Sequence, residues 1–433
     1  MRSFTLAARW AVTLVGAALS ARAVPVPTFH KDVLPILQRH CQPCHRSGEA
    51  APMAFIHYAQ VRPWARAIKQ SVVARKMPPW LAEAGTGEFQ QEHRLSSAEV
   101  ATLAAWADGG APAGNSGDAP PPAQFSSGWT IGQPDLVLDV PPAMELPAAG
   151  TAEYIYLIIP TGLKQDRWVQ RAEVHPSDRT VTHQVLAFLR PPGSPWLANY
   201  EPGVPFVPKR GGGDSNDTAE LLVAYAPGRP AAVLPGGQAR LVQAGSDVVL
   251  QFHYTANAKA SMDRTQLGLI FSPALPQQRV MTIAASNTRF VIPPQTDNHR
   301  VDAQITLQHD AELVSMMPHL HLRGKDFEYR AVYPSGMTET LLRVPKFDFN
   351  WQLHYNLARP KLLPRGTRIE CTAHFDNSAN NPANPDPQAE VTWGRRSSEE
   401  MMIGWLDVAF PATLDPAKVI GPEKKARPGK AGR

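Results

Sequence analysis

Val248-Val249-Leu250-Gln251-Phe252-His253-Tyr254 is a run of β-branched, aromatic and leucine side chains, too short for an ordinary helix and suited to a pleated, partly buried surface. Runs of the same kind lie at 154–159, 181–189 and 266–271, broken by stretches that carry Pro, Gly, Asn and Asp. Short strands at this spacing, continuing from about 129 to 415, predict two β-sandwiches in series. The 43 prolines among 433 residues agree, because proline removes a helix donor and clashes with the preceding turn. No repeat, Gly-rich phosphate loop or serine nucleophile elbow is visible, so nucleotide and hydrolase readings have no support.

Upstream the pattern changes. Residues 111–127 are rich in Pro, Gly, Ala and Ser without apolar period and read as a linker, bounded at 114–128. Before it, Ser96 and Glu99 form a capping-box pattern, Val100, Leu103, Ala104 and Ala107 follow at helical spacing, and Gly109-Gly110 ends the helix. A second helix is expected from Lys31 into Cys41, and an amphipathic one over 62–76. The first of these leads into Cys41-Gln42-Pro43-Cys44-His45, which fits C-x-x-C-H, the covalent attachment site of a c-type haem with His45 as axial ligand. A redox pair or half a zinc site is the plainer reading, but a zinc site needs a second ligand pair, and only Cys371 is left. Met77, in Met77-Pro78-Pro79-Trp80, is the candidate for the other axial position, since a thioether is a soft donor that favours reduced iron. Met53 competes, although it lies only eight residues past His45.

Arg2 and Arg9, the apolar stretch 11–19 and Ala21-Arg22-Ala23 make residues 1–23 a secretory signal peptide, too short for a stable membrane span. Haem attachment in bacteria occurs outside the cytoplasmic membrane, so both signals predict the periplasm. The net charge of +5 resides at the ends: three arginines fall in the leader, and 423–433 hold five basic residues against one acid. What lies between is slightly acidic, which removes charge as an argument for nucleic acid. Residues 416–433 read as a disordered basic tail.

The strand-rich region holds imidazoles in ligand-like places. Pro318-His319-Leu320-His321 sets two rings on one face of an extended strand, suited to one metal ion. A soft third donor is available in Met401, with Met402 as its neighbour, and two imidazoles plus a thioether favour copper. His183 and His253, each on an expected strand, are a second candidate ligand set, although a lone strand histidine is more often a hydrogen-bonded structural residue. Cys371 reads as a buried free thiol, His354 and His374 as structural, and Asn216-Asp217-Thr218 as a sequon without meaning for such a protein.

Residues 24–113 resemble a class I cytochrome c, through Cys41 to His45 and Met77-Pro78. Residues 150–410 resemble the copper type II, ascorbate-dependent monooxygenase family, which includes the peptidylglycine α-hydroxylating and dopamine β-monooxygenases. The resemblance rests on Thr182-His183-Gln184, Gln251-Phe252-His253-Tyr254, Pro318-His319-Leu320-His321-Leu322-Arg323-Gly324, Phe375-Asp376-Asn377-Ser378 and Glu400-Met401. It implies an all-α cytochrome c domain followed by two all-β, jelly-roll-like sandwich domains at 129–276 and 277–415, each with one copper. The second copper, on His319, His321 and Met401, would activate oxygen. The first would pass on an electron, but where the family has a His-His pair this chain has His183-Gln184. That site would then be two-coordinate, would recruit His175, or would be absent. The implied reaction inserts oxygen from O2 into a C–H bond of a small organic substrate, with electrons through the haem from a periplasmic redox partner. A non-catalytic electron carrier or copper-binding protein is the alternative.

Overall fold

The computed structural model describes residues 25–420 except 91, 127, 141–143, 147, 149–153, 210–219 and 230. The leader, the sequon and most of the basic tail therefore lie outside the described residues. The described chain is mostly β-sheet with few helices, and no helix among the described residues is long and apolar enough to cross a membrane.

The helices gather at 29–108. A π-turn at Phe29–Val33 runs into α1 (Leu34–His40); α2 (Tyr58–Val61), α3 (Ala65–Val73) and α4 (Ser97–Asp108) follow. Ser96 Oγ accepts from the Glu99 amide at 3.2 Å and Glu99 accepts from the Ser96 amide at 2.8 Å, so the expected cap forms. Glu99 also bonds Arg39 and His40, which ties α4 to α1 over a core that includes Leu37, Leu103 and Trp106. One stretch of the expected 24–113 domain belongs elsewhere. Trp80 packs edge-on against Tyr355 with centroids 5.2 Å apart, Phe89 bridges to Leu357, and Trp80 and Ala82 join the core of the C-terminal sheets. These apolar residues have no helical period, so they find their burial on the β body instead.

The first half of that body contains β1 (Leu136–Asp139), β2 (Met144–Leu146), β3 (Ile155–Pro160), β4 (Arg167–His175), β5 (Thr182–Arg190), β6 (Glu220–Tyr225), β7 (Ala232–Val233), β8 (Gln238–Val242), β9 (Asp247–Tyr254), β10 (Ser261–Asp263) and β11 (Gln266–Phe271). The second contains β12 (Gln278–Ser286), β13 (Val291–Ile292), β14 (His299–Thr306), β15 (Ala311–His319), β16 (Gly324–Val332), β17 (Thr338–Val344), β18 (Tyr355–Leu363), β19 (Arg368–Phe375), β20 (Val391–Thr392) and β21 (Ile403–Pro411).

Sheet β3-β9-β5-β6 covers β1-β11-β4-β8 over one core, and β14-β19-β16-β17 covers β12-β21-β15-β18 over another. The two halves are not simply in series. β8 pairs in parallel with β12 at Gln238 and Ala239, which makes one nine-stranded sheet across both. In addition, sheet β3-β9-β5-β6 is buried on both faces. Val248, Leu250 and Phe252 enter the first core, while Val249 packs with Tyr156, Phe188, Met317, Ile403 and Trp405 at the seam between the halves. That double burial explains why β9 reads as an almost continuous apolar run.

Candidate metal and haem sites

The seam is where the candidate ligands meet. β15 and β21 are antiparallel with Met317 opposite Trp405 and His319 opposite Ile403. The paired register ends there, and His321 and Met401 lie just past the two strand ends. Alternation gives Met317 and His319 the same face as Trp405 and Ile403, and Met401 joins Met317, Ile403 and Trp405 in one cluster at the seam, while His321 reaches it through its ring contacts with His319 and Tyr154. Met402, Met316 and Leu320 point the other way, into the second core. The His319 and His321 rings stand perpendicular with centroids 5.2 Å apart, and His319 lies against Trp405 at 5.0 Å.

The backbone around them is pinned. Glu400, fully buried, accepts from the amides of His321 at 2.9 Å and Arg323 at 2.6 Å. Arg323 in turn donates to Asn377 Oδ1 at 2.8 Å and to the Ser398 carbonyl at 2.9 Å. Gly324 allows the turn, since a Cβ there would stand 2.6 Å from Leu320 and 2.9 Å from Phe347. His321 Nδ1 lies 3.0 Å from the Glu399 carbonyl. A carbonyl can only accept, so Nδ1 carries the proton and Nε2 keeps a lone pair. Burial pushes His321 down to about 3 and His319 down to about 4, so both rings are neutral near pH 7, the form that binds metal.

The first-half pair is made differently. β5 and β9 match Thr182 with Tyr254 and then Gln184 with His253, so His183 is the extra residue of a β-bulge. The bulge brings His183 and His253 to 5.5 Å between centroids, with His183 also against Trp351 at 5.4 Å. His253 is buried and its Nδ1 has no hydrogen-bond partner. Such an orphaned buried acceptor suits a metal ligand. His175 stands apart: it ends β4, pairs with Gln266 and packs on Trp129 at 5.1 Å.

Between the two pairs stand residues that sequence reasoning missed. Tyr154 is 5.3 Å from His253 and 6.1 Å from His321, and Phe349 is 5.3 Å and 6.2 Å from the same rings. Gln352 contacts His319 Nδ1 through its Oε1. The aromatic run Phe349-Asn350-Trp351-Gln352, without strand period, was the available signal.

At the C-x-x-C-H motif, a turn closes as the amides of Cys44 and His45 donate to the Cys41 carbonyl at 3.1 and 2.8 Å. His45 stacks on Phe55 at 4.3 Å, and its Nδ1 lies 3.3 Å from the Met53 carbonyl, so Nδ1 carries the proton and Nε2 again keeps the lone pair. Cys41 and Cys44 are unpaired thiols, pushed by burial to about 12 and about 11. Two unpaired thiols and an oriented imidazole fit a covalently held haem. Met53 packs against the helical core, and Met77 follows α3 with 36% of its surface exposed. On the body side, Glu49 bonds both Arg46 at 2.6 Å and Arg179 at 3.1 Å, and the Gly228 backbone lies against Cys44.

Cys371 is free and buried. His374 pairs with Asp326 at 2.7 Å. His354 Nε2 meets both Ser315, at 2.6 Å, and Asp407, at 3.3 Å, so the carboxylate and hydroxyl share one ring nitrogen and no proton relay is formed. Among the described residues, no group of three or more His, Cys, Asp or Glu side chains is placed to hold a metal ion. Any metal at the seam therefore depends on a two-histidine set with a thioether or another donor.

No family model and no curated protein matches the chain. Among solved structures it is similar, at 9% identity over 66% of this chain and 75% of that one, to the infectious bursal disease virus VP2 subviral particle, with a TM-score of 0.20. It is also similar to PNGF-II in the P21 space group (10%, 64% and 60%, TM-score 0.22) and to the STIV MCP (8%, 57% and 97%, TM-score 0.17). Likeness at that level carries no argument about activity.

Proposed function

We propose that the protein is a periplasmic oxidoreductase of the copper monooxygenase type, a class I cytochrome c joined to two jelly-roll-like domains. The overall reaction takes a small organic C–H compound, O2, two electrons and two protons to the alcohol and water, with electrons from a periplasmic donor. Copper would supply the redox chemistry toward dioxygen and the c-type haem would store and deliver electrons. His319 and His321 would hold the second-half copper through Nε2, with Met401 as the soft donor at the same seam. His183 and His253 would hold the first-half ion, and Cys41, Cys44 and His45 the haem, with Met77 as the candidate for its other axial position. Sequestration at the seam keeps these imidazoles neutral and away from bulk water.

The observation that carries the reading is the burial of the His319 and His321 rings 5.2 Å apart at the seam where Met401 also packs. A metal count by mass spectrometry on the purified protein tests it. Two coppers and one iron per chain support the enzyme. A second reading, a haem electron carrier without hydroxylation, is favoured by Gln184 opposite His253, and iron alone would establish it. Stopped-flow reoxidation of reduced haem by O2 adds a kinetic arm: a rate indifferent to copper removes the coupling of haem to copper.

A further inference from the structure

The side chain of Gln352 connects the two histidine pairs. It is buried, as are Tyr154 and His319, and it makes three contacts. Its Nε2 lies 3.2 Å from Tyr154 Oη and 3.3 Å from the Phe349 carbonyl, and its Oε1 meets His319 Nδ1. Chemistry fixes the direction of each bond. The Phe349 carbonyl has no proton to give, so the amide atom facing it must be the NH2 group. The remaining amide atom, facing His319, is then the carbonyl oxygen, which can only accept. His319 must therefore hold its proton on Nδ1 and keep its lone pair on Nε2.

We infer that Gln352 is a positioning residue: held by the Phe349 carbonyl, it fixes which nitrogen of His319 is offered to the seam, and its amide also donates to Tyr154, the ring lying between His321 and His253. The inference rests on the reading of His319 as a metal ligand. Its rationale is comparison with His321, whose Nδ1 is held directly by the Glu399 carbonyl. His319 has no backbone acceptor at Nδ1, and the Gln352 amide relays the acceptor character of the Phe349 carbonyl to it. A partner that fixes tautomer and ring orientation is commonly worth tenfold to a hundredfold, roughly, in metal affinity.

The full-length, haem-loaded chain with 15N-labelled histidine, reduced and without copper, gives the first readout. Long-range 1H–15N correlation reports each neutral ring's tautomer. His319 is expected as the Nδ1–H form in the native protein and as a mixture or the Nε2–H form in Gln352→Leu. Gln352→Glu retains an acceptor toward His319, so it should restore the Nδ1–H form and guards against a fold defect in the leucine variant. Tyr154→Phe should leave the His319 tautomer unchanged, because Phe349 still orients the amide. Copper(I) titration gives the second readout, with affinity at the His319/His321 pair falling about tenfold to a hundredfold in Gln352→Leu and largely recovering in Gln352→Glu. A His319 tautomer that ignores Gln352→Leu, or that shifts as far in Tyr154→Phe, overturns the assignment. Because the tautomer readout needs no copper, native protein that binds none while its tautomer still follows Gln352 sinks the metal reading and leaves the positioning role in place.

Discussion

His319 ends one strand and His321 lies in the turn just past it, whereas His183 and His253 come from two strands and meet only because β5 carries an extra residue. In the first case the strand end aims His319, Glu400 holds the backbone of His321, and each Nδ1 has an acceptor, Gln352 for one and the Glu399 carbonyl for the other. In the second, the bulge sets His183 and Gln184 together against His253, and His253 Nδ1 is buried without a partner. The second-half pair is thus held in place before any ion arrives. The first-half pair has a vacant acceptor and an amide where a third imidazole would complete it. Sites of the first kind bind tightly because little has to be ordered on binding, while sites of the second kind are weak until a further donor is added.

The comparison breaks most sharply on removal of a ring from the better-held pair. His321→Ala should lower the copper count by one ion per chain and abolish product formation, whereas His183→Ala should cost only the weaker ion. Copper(I) titration of both variants checks this: His183→Ala should keep the tighter constant and His321→Ala only the weaker one, and equal remaining constants would mean that the two pairs do not differ. Next in size is the polar contact that joins the two halves across the nine-stranded sheet. Arg240 of β8 bonds Asp407 of β21 at 2.7 Å, and Thr282 of β12 bonds the same carboxylate at 2.6 Å. Burial alone would raise Asp407, but Arg240 and then His354 outweigh it and hold the carboxyl well below the usual carboxylate range. A depressed carboxylate stabilises the fold fully above its ordinary value near 4, and this contribution is lost as pH falls further through the folded value. Asp407→Asn removes the close carboxylate partner of buried Arg240, leaving Glu220 at 3.9 Å, and should cost about 3 kcal/mol in urea unfolding at pH 7. The deficit should shrink below pH 4.

Much of this was legible in the sequence, and the division follows the range of the forces. The Ser96 cap and the helix it starts are local, and the strand runs at 155–160, 182–190, 247–254 and 266–271 are declared by composition within a few residues. The His-x-His pair is legible as a motif, although His321 falls just past the strand end. What could not be read is set by packing between distant segments. Gln251 and His253 alternate with apolar residues as a solvent-facing edge would, yet both are buried, because β9 is covered on both sides. Residues 80–90 have no period, so their attachment to the second half left no mark. Tyr154 and Gln352 are 198 positions apart, and although the aromatic run at 349–352 marks the second, nothing local ties it to the first. The bulge at His183 is likewise invisible, because nothing in Thr182-His183-Gln184 shows that the register slips there.

The comparison can also be sharpened by making the weaker pair resemble the stronger. Gln184 is buried directly opposite His253, and the neighbouring His183 is already close. Gln184→His supplies the third imidazole without changing the bulge. It should raise copper(I) affinity at the first-half pair about tenfold or more, equivalent to about 1.4 kcal/mol, with the His319/His321 pair unaffected. Competitive titration with a calibrated chelator resolves the two sites, and an unchanged weaker constant would show that position 184 does not face the ion.

The smallest expected effect lies at the ring between the pairs. Tyr154→Phe deletes the hydroxyl that accepts from Gln352 and keeps the ring against His253 and His321. Gln352 retains the Phe349 carbonyl as acceptor, so only one bond is lost. The loss should be about 0.5–1.5 kcal/mol in unfolding free energy, with both copper constants nearly native. A much larger change in either constant would mean that the two pairs are coupled through the phenol itself, and the contrast between a preset site and an incomplete one would have to be redrawn as a single four-histidine centre.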